Sequence, residues 1–414
     1  MIDKISVIMT AYNHEQYIRD AIQSVLDQKG TFELEIIIHD DASSDKTPMI
    51  MKEYEANNSD KIKCIYQKEN QYSKGVDIWS LMIQQSTGEY IAICECDDYW
   101  CDQWKLSKQL SILKTYEDCS FVMHNAWILN EKNKTRDLLN TFPKTGFYEH
   151  EDNVKVGLGT RFPATASYFF RKKDWYNMPD FFLQYSVKDY PVRQYYACLG
   201  KIYYFSEPMS VYRYLCIGSY MEGVIENRKK DSSKYLKYIT EMDDFYTRYD
   251  EYTNFKFHII LQKKIISDIL GLFISVESDH IERMVADKKI DPKIIETIND
   301  MMLNNNRVPE LLDFYYKKDN CCWIYGTSDL SCYFAERFVR NGYKIDGFVV
   351  SDGYKNCDEI MGYPVYCLST ILEKFETPFF IVATQPINSD GIIKNLINLE
   401  NVDYYNVFDI GRFS

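Results

Sequence analysis

Ile5-Ser6-Val7-Ile8-Met9 is a β-rich run, and Asn13 follows it with Gln16 three residues later. The Asn13 side chain offers an N-cap to a helix on which Ile18, Ala21, Ile22, Val25 and Leu26 recur at helical spacing, forming one apolar face. Working outward, Leu34-Glu35-Ile36-Ile37-Ile38 is a second short run, nearly continuous in apolar residues, as suits a strand covered on both faces. Thr47-Pro48 opens the next helix, with proline at the first helical position. Ile62–Tyr66 and Tyr90–Cys94 read as two more strands, and Leu106, Leu110 and Leu113 mark the helix after them. Alternation of this kind predicts an α/β fold with a mainly parallel sheet.

Residues 126–225 are more irregular, with Ser167–Phe170 and Lys201–Phe205 as expected strands. Between 226 and 319 the period changes: Ile239, Met242, Tyr246 and Tyr249, then Ile265, Ile266, Ile269, Leu270 and Phe273, recur at helical spacing. From Cys322 strand and helix alternate again, with Trp323–Gly326 a strand and turn, Phe334–Val339 a helix, and Gly347–Val350 and Phe379–Ala383 strands. Three parts are therefore expected: a domain over 1–225, a helical connector over 226–319 and a small Rossmann-like α/β domain over 320–414. The 414 residues agree, at roughly 100–200 residues per domain.

A net charge of −13 argues against a sequence-independent nucleic-acid binder, which needs a positive face. The 12 cysteines include no CxxC pair and no zinc spacing, so a reduced compartment is expected. The N-terminus starts like a strand rather than a leader, and Ile269–Ile274 falls far short of the ~20 apolar residues a membrane span needs. A cytoplasmic protein is expected.

Three acidic clusters stand out. They are His39-Asp40-Asp41-Ala42-Ser43-Ser44-Asp45, Glu95-Cys96-Asp97-Asp98 and Lys188-Asp189-Tyr190. The first two follow expected strands, and ligands of open α/β sheets bind beyond strand carboxyl ends. A departing nucleotide diphosphate needs its charge neutralised, which a divalent cation held by hard oxygen ligands does. Another carboxylate can orient a base or ribose, and a third can take the proton of an attacking hydroxyl.

These pieces carry a resemblance. Ser6–Asn13, Asp40–Asp45, Gly88-Glu89-Tyr90-Ile91-Ala92, Asp97-Asp98, Lys188-Asp189-Tyr190 and Glu207–Arg213 resemble, in order and spacing, the inverting family-2 glycosyltransferases of GT-A fold. Ile93–Trp100 is similar to the bacterial surface-polysaccharide branch. The resemblance covers about residues 1–225. It implies a GT-A nucleotide-diphospho-sugar transferase domain, a UDP-sugar donor, Mn²⁺ or Mg²⁺, and a hydroxyl acceptor on a glycan, free or lipid-linked. It also implies work at the inner face of the cell membrane. Carried over residue by residue, Thr10, Tyr12 and Asn13 frame the nucleotide, Asp41 accepts from the uracil N–H, and Asp40 is its companion. Asp97 and Asp98 hold ribose and metal, with Asp98 the metal ligand. Asp189 is the general base. Thr165 and Ser167 match the acceptor-side segment; apart from the resemblance, Lys74 is read either on the donor diphosphate or as a solvated loop lysine, and Trp100 either on the acceptor side, stacking on a ring, or as core packing.

The chain departs from the family where a histidine commonly follows Tyr212-Arg213, since Leu215 stands there. The alternative function is accordingly a degenerate GT-A module that holds nucleotide sugar without turnover. In the C-terminal domain Gly326-Thr327-Ser328-Asp329-Leu330-Ser331 sits where a dinucleotide fingerprint would, but Ser328 replaces the glycine that lets backbone approach pyrophosphate. A scaffold or homo-oligomerisation role is expected instead. The doublets Lys229-Lys230, Lys263-Lys264 and Lys288-Lys289 face solvent or anionic lipid.

Overall fold

β1 (Lys4–Ala11) is buried on both faces because its apolar run meets a helix layer on each side. The structure is a computed structural model describing residues 2–156, 162–214, 216, 233–258, 321–340, 343–376, 378–384 and 402–406, with isolated positions over 260–268 and 392–399. It divides into two compact units, one of residues 1–230 with 241–258 and one of 231–240 with 259–414.

In the first unit β1 is followed by α1 (Ile18–Leu26), β2 (Glu33–Asp40), α2 (Thr47–Asn57), β3 (Ile62–Tyr66), α3 (Ile78–Gln85), β4 (Tyr90–Ile93), β5 (Tyr99–Trp100) and α4 (Lys105–Thr115). Then come β6 (Cys119–Asn130), β7 (Arg136–Leu138), β8 (Gly146–Tyr148), α5 (His150–Lys155), β9 (Phe169–Arg171), α6 (Lys172–Trp175), α7 (Asp189–Leu199) and β10 (Lys201–Tyr214). The sheet runs β3-β2-β1-β4-β9-β6-β10-β5, with β7 on β6 and β8 on β10. β3, β2, β1 and β4 are mutually parallel, and β9 lies antiparallel between β4 and β6. Ile18, Ala21, Ile22 and Val25 on α1 are fully buried against Val7, Met9 and Ala11. Each large aliphatic there contributes about 1.5–3 kcal/mol. Gly88 lets β4 enter beside β1: a Cβ there would stand 2.6 Å from the Ser6 nitrogen.

Three local readings change. Asn13 does not cap α1, which begins at Ile18 with no side-chain cap; it adopts φ 57° and accepts at Oδ1 from Ser44 N at 2.8 Å. Thr165–Ser167 is a 3-10 turn, so strand structure starts only at Phe169. β10 runs on to Tyr214 because register shifts around Phe205, Pro208 and Ser210 accommodate the proline.

α8 (Ser233–Tyr252) carries Ile239, Met242, Tyr246 and Tyr249, all buried. Its residues from 241 onward belong to the first unit, where Phe245 and Tyr249 pack edge-on against Phe182, and Phe245 also against Tyr190. Much of the chemistry-neutral tyrosine content is this aromatic core behind α7. Ile266, Ile269, Leu270 and Phe273 of the expected connector, and all the doublet lysines except Lys264, lie outside the described residues. Lys264 is buried, so it faces neither solvent nor lipid.

The second unit continues with β11 (Cys322–Tyr325), α9 (Asp329–Arg340), β12 (Gly347–Val350), β13 (Glu359–Ile360), β14 (Tyr363–Cys367), α10 (Leu368–Lys374), β15 (Phe379–Val382) and β16 (Asp403–Asn406). Its order is β13-β14-β12-β11-β15-β16, parallel except at β13. Among the described residues no helix is long and apolar enough to cross a membrane.

Candidate active site

The chain leaves β1 toward β2 and β3 on one side and returns to β4 on the other, so the sheet reverses order at β1. The crevice at such a reversal is where open α/β sheets bind ligands. The loops after β1, β2 and β4 meet there through the main chain: Asp41 N donates to Ala11 O at 2.9 Å, and Cys96 N to Thr10 O at 3.0 Å. Side chains tie the first two loops further, since Asn13 N donates to Ser43 Oγ at 2.9 Å. Asn13 and Ala42 both hold positive φ, the kind of local strain that ligand loops store. Tyr12 is exposed at this rim, its ring open for stacking.

Asp40 and Asp41 are both buried at the end of β2. Asp41 takes Gln71 N on Oδ1 at 2.7 Å and Tyr72 N on Oδ2 at 3.1 Å, so it also anchors the loop before α3. Asp40 accepts from Ser43 N at 3.3 Å, and burial pushes its carboxyl up. Lys74, expected on the donor diphosphate, is exposed and pairs with Glu69.

The third loop holds Glu95, Asp97 and Asp98. Asp98 is fully buried; its Oδ1 accepts from Arg213 N at 2.9 Å and its Oδ2 has no hydrogen-bond partner. Asp97 keeps 17% of its side chain exposed, with His14 Nε2 4.0 Å from Oδ2 and the Cys216 thiol donating to the same oxygen at 3.5 Å. Of the two aspartates, then, Asp97 rather than Asp98 faces open space. Burial, followed by the charges of Asp97 and Asp189, holds Glu95 well above the ordinary carboxylate range, against a hydrogen bond from Thr165. Burial and then Asp97 and Glu95 do the same to Asp98.

Arg213 organises this loop. Nη1 donates to Asp97 O at 2.9 Å and Nη2 to Asp20 Oδ2 at 2.6 Å, while Nε lies 3.4 Å from Glu131 Oε1. Its guanidinium stands 4.5 Å over Tyr99. Neither His14 nor this role of Arg213 was legible beforehand, because the partners come from distant loops; only the Tyr212-Arg213 motif hinted at the second.

Asp189 is the first residue of α7, partly buried, where a helix N-terminus favours negative charge. Burial raises its carboxyl, offset by Tyr190 N–H donating to Oδ1 at 2.8 Å and by the charge of Arg193. Thr165 is brought to Glu95, and therefore to the cluster. Ser167 is not: it is buried, its hydroxyl donating to Ala164 O at 2.6 Å within the 3-10 turn. Trp100 is also core rather than an open acceptor platform. Its Nε1 donates to Ala166 O at 2.9 Å, and the Lys105 ammonium sits 3.9 Å over its ring. Lys105 donates to Gln109 Oε1 at 2.8 Å, and Gln109 Nε2 to Ser167 O at 2.8 Å, which clasps the turn.

A divalent cation suits this cluster on charge: Glu95 and Asp98, raised first by burial, both feel the charge of Asp97, and Asp98 Oδ2 is buried without a partner. Among the described residues no three His, Cys, Asp or Glu side chains are arranged around one metal position. The protein would supply one or two ligands, Asp97 first, and donor phosphates and water the rest.

Residues 6–175 match the family model described as glycosyl transferase family 2. An uncharacterised protein of Mycobacterium tuberculosis is 31% identical over 225 residues, covering 54% of this chain and 62% of that one. The Escherichia coli UDP-Glc:alpha-D-GlcNAc-diphosphoundecaprenol beta-1,3-glucosyltransferase WfaP is 34% identical over 126 residues, 30% of this chain and 46% of that one. The chain thus spans less than two thirds of the length of these relatives. S. aureus TarS 1–349 in complex with UDP-GlcNAc superposes with a TM-score of 0.46 and 15% identity, over 87% of this chain and 95% of that one.

Proposed function

We propose, from the family-2 glycosyltransferase domain of GT-A fold that residues 6–175 form, that the protein moves a sugar from a UDP-sugar to a glycan hydroxyl. The transfer inverts the anomeric carbon, and the setting is bacterial surface-polysaccharide assembly. The observation that carries this reading is the gathering of Glu95, Asp97 and Asp98 at the reversal crevice, within electrostatic reach of Asp189. The relative WfaP, named for a UDP-glucose donor and a diphosphoundecaprenol-linked acceptor, supports the donor class and the setting.

Tyr12 covers the uracil, and Asp41 accepts from its N–H on a lone pair that the Gln71 and Tyr72 amides leave open. Asp97 would hold Mn²⁺ or Mg²⁺, which would supply charge neutralisation for the departing diphosphate. Asp98, locked by Arg213 N, fixes the loop from beneath. Asp189 stands on the acceptor side and accepts the hydroxyl proton as the new bond forms, so one displacement inverts the centre. Its raised carboxyl means the base ionises at higher pH than an exposed aspartate, so activity climbs on the acid side over a range shifted upward.

The test is turnover of UDP-sugars with candidate glycan acceptors, with the product's anomeric configuration read by NMR. Inverted product that Asp189→Asn fails to form supports the reading. UDP binding with no transfer by wild type under any acceptor would leave the nucleotide-sugar-holding module instead.

A further inference from the structure

Among the described residues of the first unit two arginines are buried, and they differ. Arg213 spends its nitrogens on Asp97, Asp20 and Glu131. Arg193, one turn after Asp189 on α7, is fully buried, yet Nε, Nη1 and Nη2 all lack a hydrogen-bond partner, and it forms no ion pair among the described residues. Two rings flank the guanidinium: its Cζ lies 5.3 Å from the Tyr190 ring centre and 6.0 Å from that of Phe162. Its charge is felt at Asp189, Tyr168 and Tyr249.

Burying an ion without a partner is among the costliest arrangements a core can hold. Ring faces offset only part of that cost. A guanidinium presents five donors in a fork that matches an oxyanion. Phe162 on one flank is 41% exposed and meets Tyr190 edge-on at 6.0 Å.

We propose that Arg193 binds an oxyanion carried by the acceptor, a phosphate or a carboxylate, admitted beneath Phe162 and anchored one helical turn from Asp189. The proposal rests on the transferase reading, since it is the acceptor whose hydroxyl must reach Asp189. The anion anchors the acceptor; the neighbouring carboxylate takes its proton. Two sources share this chemistry: the phosphate that links a glycan to its carrier, and the carboxylate of an acidic sugar.

The test needs no turnover. With UDP saturating, so that the donor's phosphates cannot be the guest, phenyl phosphate, glucuronate and neutral glucose are titrated into wild type, Arg193→Lys and Arg193→Gln by ligand-observed NMR. Wild type should bind an anion and ignore glucose. Arg193→Gln should weaken that binding about 10- to 100-fold, the range of a charge-assisted contact, and Arg193→Lys should restore part of it. Preference for phenyl phosphate or for glucuronate names the source. Equal anion binding by wild type and Arg193→Gln, or none by wild type, overturns the proposal. Failure of UDP to bind would sink the donor assignment alone, because the titration repeated without UDP still reports on Arg193. If Arg193→Gln does not melt cooperatively, Phe162→Ala decides: the anion should enter faster, and an unchanged rate overturns the idea.

Discussion

Two sheets in this chain, the first mixed rather than mainly parallel and the second parallel but for β13, reverse order across a central parallel strand, and they use the crevice there in opposite ways. Beyond β1 the first unit gathers Asp40, Asp41, Glu95, Asp97 and Asp98; burial, and then the neighbouring charges, raise Glu95 and Asp98, and Asp98 Oδ2 has no partner. Beyond β11 the second unit fills the turn with its own hydroxyls. Ser331 donates to Ala383 O at 2.8 Å and sits 3.1 Å from Ser328 Oγ, filling the turn where a phosphate would need bare backbone. Asp352, placed like a ribose-binding acid, instead accepts from Ser369 N and Oγ at the start of α10. The same topology therefore makes a site only where the loops leave charge uncompensated. Position at a reversal offers the crevice, and the loop residues decide whether it is used.

The sharpest way to break that contrast is to neutralise one acid on each side. Asp189→Asn should lower transfer about 10²- to 10⁴-fold with UDP affinity unchanged, as loss of a general base does. Asp352→Asn should leave transfer where it was; a comparable fall would place the second unit's crevice in the chemistry. Next in size is Gly326, whose φ of +117° and near contacts leave no room for a side chain: a Cβ would meet Ser331 Oγ and Thr384 Cγ2 at 2.5 Å. Gly326→Ala should destabilise the second unit by about 1–3 kcal/mol in denaturant melts while UDP titrates as before.

The smallest effect concerns Lys105, whose ammonium burial pushes down to about 7. Above that value the folded protein holds fewer protons at this site than the unfolded chain, so stability rises with pH until the unfolded lysine also titrates. Relative to Lys105→Met, wild type should gain about 1–2 kcal/mol between pH 7 and pH 9 in urea melts. A flat difference would show that Lys105 stays charged beneath Trp100.

Strand and helix positions in the first 115 residues were legible because their apolar periods are long and clean; Ile36–Ile38 and the α1 face needed no tertiary information. What escaped reading was what other loops supply. Asn13 looks like a helix cap until Ser44 claims its oxygen. Trp100 looks like a sugar platform until Lys105 covers it. Asp98 reads as the metal ligand, but the sequence does not show that Arg213 N takes its Oδ1 and leaves Oδ2 open, or that Asp97 is the more exposed of the two, beside His14. The acidic clusters themselves could be found, since they follow strands, but the division of labour within each depends on which side chain the fold turns toward open space.

The most direct measurement is calorimetric titration of UDP with and without Mn²⁺ into wild type and Asp97→Ala. The account predicts that Mn²⁺ strengthens UDP binding to wild type and that Asp97→Ala erases that gain. Equal metal-dependent tightening in Asp97→Ala would contradict it, and would return the metal to Asp98 or remove it from this crevice.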